Sequence, residues 1–327
     1  MKKYFLLTML IMLAVAFWQC EKEYFEPVSS EMAEELALLP TPSIGMGYIN
    51  VVSLQKSPFF SLMIEEWEKK PFRSQEYQEF MEATGLNVSE DIHEIYFSVI
   101  SDEIDEEASA LLLIKGAFDS QKIISYISEH SKENEIEEES YKNYQIYHVE
   151  DDNVGFSFVD NNKVVVGTEK LVKKWLEDFQ DGKEVKSESA GLEIIKNIKY
   201  KSGAWCSVTT EKIAQKIMEE IEQHPESRRF SGLKNIKNLN FSMKADETLK
   251  FYGIGNFSDA EKAEMFESMV KGFFATLKLS MSEDRDAVDV MNKINVTSRG
   301  EQVLMDFEMT MEDIEKLKSH QKKIALR

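Results

Sequence analysis

Cysteine is almost absent from this chain of 327 residues. There are two, Cys20 and Cys206, and Cys20 stands directly behind an apolar N-terminal run, so no disulfide framework holds the fold. Basic charge is scarce as well: 39 Lys and Arg face 59 Asp and Glu, a net charge of −20. A phosphate backbone is bound through a basic footprint, which excludes nucleic acid as a partner. The same deficit makes the folded part a poor adsorbent for anionic lipid. The acidity reads as solubility.

The usual carriers of chemistry are missing too. His93, His130, His148, His224 and His320 are scattered, with no pair three or four apart and no cysteine among them, so zinc-site spacing is absent. No Gly-x-Ser-x-Gly elbow and no helix-opening Ser-x-x-Lys occurs. Gly253-Ile254-Gly255 is the nearest thing to a phosphate loop, and it reads as a strand end. The acidic runs Asp102–Glu107, Glu135–Glu139 and Glu150–Asp152 lack the Asp-x-Asp-x-Asp-Gly order of a calcium loop and read as solvated loops. No catalytic residue, metal or cofactor is expected.

What is present begins at the N-terminus. Met1-Lys2-Lys3 is followed by an apolar stretch, Tyr4–Trp18, and then Gln19-Cys20. This is the pattern of a secretory signal, and the run is shorter than the ~20 residues that span a bilayer. Ending on cysteine, residues 1–20 resemble a bacterial lipoprotein signal. The resemblance implies a diacylglycerol on Cys20, and an exported chain anchored by lipid in the cell envelope, periplasmic or outer-membrane. Gln19 is larger than the residue that family carries before its cysteine, which leaves an uncleaved anchor or ordinary cleavage as alternatives. Residues 21–44, with Pro27, Pro40 and Pro42, read as a tether that sets distance from the membrane.

The remainder matches itself. Ile92–Val99 aligns with Ile236–Met243, Gly116-Ala117-Phe118-Asp119 with Gly255-Asn256-Phe257-Ser258, and Gly47–Val51 with Ala204–Val208. Three blocks in the same order define two units, 45–182 and 202–320, with a connector at 183–201 and a tail at 321–327. Local periods place helices after Asp119, after Thr168 and, through a capping box at Ser258–Glu261, along a run from Met265 to Leu277. Asp160-Asn161-Asn162 and Arg299-Gly300 mark tight hairpins. The expected fold is α+β: two tandem strand-helix-strand-strand-helix-strand repeats, mostly antiparallel sheets with helices on one face. In this order of elements the chain is similar to uncharacterised bacterial envelope lipoproteins with tandem α+β repeats, which implies location and fold but no activity.

Cys206 takes the place of Ile49 in the repeat and is expected to be a small buried hydrophobe. Alternation puts Ile95, Phe97 and Val99, like Leu239, Phe241 and Met243, toward the helices. Tyr96, Ser98, Asn240 and Ser242 then lie on a polar, uncharged opposite face, a candidate recognition surface for an envelope protein or polymer. The expected function is a non-enzymatic binding or scaffolding module. The alternative is a hydrolase-like envelope enzyme whose acid and base meet only in the fold, recognisable by a cleft of carboxylates with raised pKa. The sequence leaves the oligomeric state open.

Overall fold

Side chains that alternate in burial build most of this protein. The computed structural model describes residues 25–62, 75–101, 108–130, 136–149, 153–182, 190–210, 234–282 and 284–317. Its strands are β1 Gly45–Asn50, β2 Ile92–Ser101, β3 Ala108–Gly116, β4 Ile136–Tyr141, β5 Tyr144–Val149 and β6 Val154–Asp160. After these come β7 Lys163–Thr168, β8 Ala204–Thr209, β9 Ile236–Ala245, β10 Leu249–Phe257, β11 Asn295–Arg299 and β12 Gln302–Met309. They form one 12-stranded sheet in the order β11-β12-β10-β9-β8-β1-β2-β3-β7-β6-β5-β4. Every recorded strand pair is antiparallel.

Separate sheets in the two units are therefore a misreading. β1 pairs with β8, Tyr48 opposite Trp205, and this seam covers two strand edges that would otherwise be open to other chains. The turns are those the residue types require: Gly85 (φ 71°) ends a helix, Gly300 (φ 58°) turns the β11–β12 hairpin, and Asp160 accepts the Asn162 amide at 2.7 Å between β6 and β7. β4 was not legible, since its solvent-facing glutamates make it look like a loop.

The helices are α1 Ser30–Leu38, α2 Val51–Gln55, α3 Gln75–Thr84, α4 Val88–Asp91, α5 Ser120–His130, α6 Glu169–Gln180, α7 Ala190–Ile195, α8 Ala260–Ser280 and α9 Arg285–Asn292. They lie on both faces of the sheet, not on one. On the first face, α1, α6 and α7 cover a core of Met46, Tyr48, Tyr96, Leu111, Leu113, Val165 and Trp205. The expected tether and connector supply much of this cover. Met32, Leu36 and Leu39 recur at helical spacing and are 6%, 1% and 1% exposed; Ile195 and Ile198 are each 1% exposed. A fully buried Leu or Ile contributes about 1.5–3 kcal/mol, so residues 30–39 belong to the core rather than to a spacer. Ser29 caps α1 by accepting the Met32 amide at 3.1 Å.

On the second face α8 packs Phe266, Val270 and Phe274 against Val296, Val303 and Met305. Asp259, not Ser258, is its N-cap, accepting the Lys262 amide at 2.9 Å. Nearer the seam, Leu54 of α2, Phe59, and Met311 and Ile314 cover Ile49 and Met243. Residues 311–317 are helical and open on a reciprocal cap: Thr310 N–H donates to Asp313 (2.8 Å), and Asp313 N–H to the Thr310 hydroxyl (3.3 Å). Lys293 also reaches Asp313, at 2.5 Å. Burial pushes the Asp313 carboxyl up, but Lys293 and the two Thr310 donors outweigh it and bring its pKa to about 2.

Candidate functional site

Across the seam one row of side chains runs Ser242, Trp205, Tyr48, Tyr96, Leu113, Val165, and the next Asn240, Ser207, Met46, Ser98, Leu111. These rows are the first face. The expected recognition residues sit there and are buried: Tyr96 1%, Ser98 0%, Asn240 3% and Ser242 2% exposed. They cannot form an exposed surface. The expectation left this face open to solvent, whereas both faces are covered, and small polar side chains here satisfy the irregular backbone laid over them. Ser98 Oγ donates to the Pro40 carbonyl at 3.0 Å, and Ser242 Oγ accepts the Tyr200 amide at 3.3 Å. Ile95, Phe97, Val99, Leu239, Phe241 and Met243 lie half-buried on the second face. Phe97 lies over Gly47, where a Cβ would come 2.2 Å from its ring.

Cys206 is half-buried beside Gly47 and Phe241 on that second face, less enclosed than expected. Burial pushes its thiol pKa up, which keeps it protonated and a weak nucleophile. Cys20 lies outside the described residues.

A polar cleft of about 570 Å³ opens at one end of the first face, lined by Glu31, Asn50, His93, Glu94, Lys115 and Asn162 among others. Lys115 is its centre, bonded to Glu31 and standing 3.3 Å from Glu94 and 3.6 Å from Glu35. Glu94 also accepts the hydroxyls of Tyr48 (2.7 Å) and Tyr96 (3.2 Å), and Lys163 holds Glu35 at 2.8 Å. Burial works against the charge on Lys115, but its three carboxylates prevail and raise its pKa. The bond from Lys115 lowers Glu31. Burial first, then Glu94, raises both tyrosines. Each of these shifts holds a group in its ordinary charge state, the signature of a structural network rather than of a poised acid or base.

Two further features escaped the sequence. α8 exposes Met265 (59%), Met269 (40%), Phe273 (61%) and Leu279 (75%); read as a period, the first three merged with the buried stripe. At the far edge of the first face, β4, β5 and the first turn of α6 bring Glu139, His148 and Glu169 together, one ligand atom from each within 4.8 Å of the others. Their separation in sequence hides them, and only the β4–β5 hairpin and the return of α6 make them neighbours.

No protein-family model matches the chain, and no curated protein does. Among solved structures it is similar to crystal forms of TP0453. Form III gives a TM-score of 0.48 at 9% identity, covering 85% of this chain and 95% of that one. Form IV gives 0.45 at 7% identity with 86% and 94% covered, and form I gives 0.44 at 8% identity with 87% and 96% covered. No helix among the described residues is long and apolar enough to cross a membrane.

Proposed function

We propose that this protein is a non-enzymatic binding or scaffolding module of the cell envelope, exported and lipid-anchored at Cys20, and that it engages a protein partner through the outer face of α8. The observation that carries this reading is the apolar stripe Met265, Met269, Phe273 and Leu279, exposed in a chain of net charge −20. The stripe runs about 21 Å along the helix, and an amphipathic helix of this kind is suited to an apolar groove. Methionine adapts its shape to such a groove. Within α8, Glu261, Glu264 and Glu267 balance Lys262, Lys271 and Lys278, so the helix lacks the cationic flank that draws amphipathic helices to anionic lipid. A protein with an apolar groove and a rim of mixed charge is the better fit.

The two units at 45–182 and 202–320 remain part of this reading as copies of one fold. Outward from the seam the strands run β1-β2-β3-β7-β6-β5-β4 on one side and β8-β9-β10-β12-β11 on the other, so the first five of each side correspond and β5 and β4 extend the first. The pairing of β9 stands two residues from where the matched blocks would put it: Trp205 meets Ser242 rather than Asn240. An even slip keeps every side chain on its face. Among the described residues the hydrolase-like alternative could draw on the Lys115 cleft, where the charge pairs weigh against it.

The test is a photo-crosslinking residue at position 273 in intact cells, compared with capture by the purified chain carrying Met265→Ser and Phe273→Ser. The expected outcome is a crosslinked protein, with capture of that protein cut at least about tenfold by the double variant, since two apolar anchors are lost. Unchanged capture overturns the proposal, as does wild type that floats with lipid vesicles through the same stripe.

A further inference from the structure

We infer that Glu139, His148 and Glu169 form a site for a divalent transition metal of the zinc class, for which the Lys173 ammonium is a built-in competitor. The three residues come from β4, β5 and the start of α6, and the imidazole lies between the carboxylates. His148 Nε2 is 3.0 Å from Glu139, and Nδ1 is 3.9 Å from Glu169. Zinc takes imidazole and carboxylate ligands at about 2.0–2.2 Å in a tetrahedron, whose ligand atoms stand roughly 3.3 Å apart. Atoms already within 4.8 Å of one another reach that arrangement by side-chain rotation alone. Calcium takes six to eight oxygens, whereas two carboxylates and an imidazole suit the borderline metals.

Lys173 Nζ lies 2.8 Å from Glu139 and 2.6 Å from Glu169. It bridges both carboxylates where a metal would. The two carboxylates carry a charge of −2, which the single ammonium offsets by half and a divalent ion in its place would neutralise in full. The exchange breaks two ammonium–carboxylate hydrogen bonds and the His148–Glu139 hydrogen bond, and forms three metal–ligand bonds. The ammonium already lies over the ring of Tyr141, 5.4 Å from its centre, a contact that it can keep on leaving the carboxylates. Gly155, paired with His148 across β5 and β6, puts no side chain over the ring.

Calorimetric titration of the full exported chain with zinc chloride tests this. Wild type is expected to bind one zinc, and Lys173→Met to bind it at least about tenfold more tightly, because the competitor is gone. His148→Ala and Glu139→Gln should each weaken binding by about tenfold or more. A purely structural ion-pair cluster gives the opposite for the lysine: Lys173→Met would lower the melting temperature and take up no zinc. No zinc uptake by either wild type or Lys173→Met overturns the inference. So does uptake that His148→Ala leaves unchanged in a folded variant, which would place the metal elsewhere.

Discussion

The two faces of the sheet reverse the usual link between polarity and exposure. The first is studded with serine, asparagine and tyrosine and is sealed; the second carries isoleucine, phenylalanine and methionine and is only half closed. The cover explains the contrast. Helices on the second face lay apolar stripes on apolar strands, each contact worth its buried area. Irregular backbone near Pro40 and Tyr200 lies on the first, and peptide groups taken out of water need partners. Ser98 and Ser242 supply them. A small hydroxyl under a covering loop is thus a core residue with a specific task.

The sharpest way to break this comparison is Tyr96→Glu. On an exposed polar face it would be harmless. Here it buries a carboxylate beside Glu94 and near Glu35, without the ring that packs 4.8 Å from Tyr48. Urea unfolding should show a loss of about 3–5 kcal/mol, and an unchanged midpoint would restore the exposed reading.

The second face is tested at its rim by Asp313. Its carboxyl is held at about 2, below the value near 4 of an unfolded chain. Its stabilisation is therefore present above pH 4 and lost as pH falls through about 2. Asp313→Asn should cost about 1–2 kcal/mol at neutral pH. The gap between the variant and wild type should narrow between pH 4 and 2, and a gap that stays constant with pH would contradict the pairing.

Ser98→Ala has the smallest expected effect. It strands the Pro40 carbonyl and should lower stability by about 1 kcal/mol in the same assay. A neutral result would mean that solvent reaches that carbonyl and that the first face is less tightly sealed than its partner.

The sequence by itself determined the local structure. Alternation laid out most strands, glycine at residues 85 and 300 ended a helix and turned a hairpin, and Asp160-Asn161-Asn162 closed another, because these depend on backbone preferences within a few residues. The α+β class followed from their order. Tertiary structure decided which face of each strand is covered, since alternation distinguishes two faces but carries no sign for inside and outside. It decided that residues 30–39 and 195–198 are core: amphipathic pieces this short show their role only when a sheet is there to receive them. It fused two half-sheets through Tyr48 and Trp205, and it left one side of α8 without cover. It also brought Glu139, His148 and Glu169 from three chain segments to one edge. Spacing along a chain reports only what one element can hold, and ligand geometry assembled across three elements exists only once they pack.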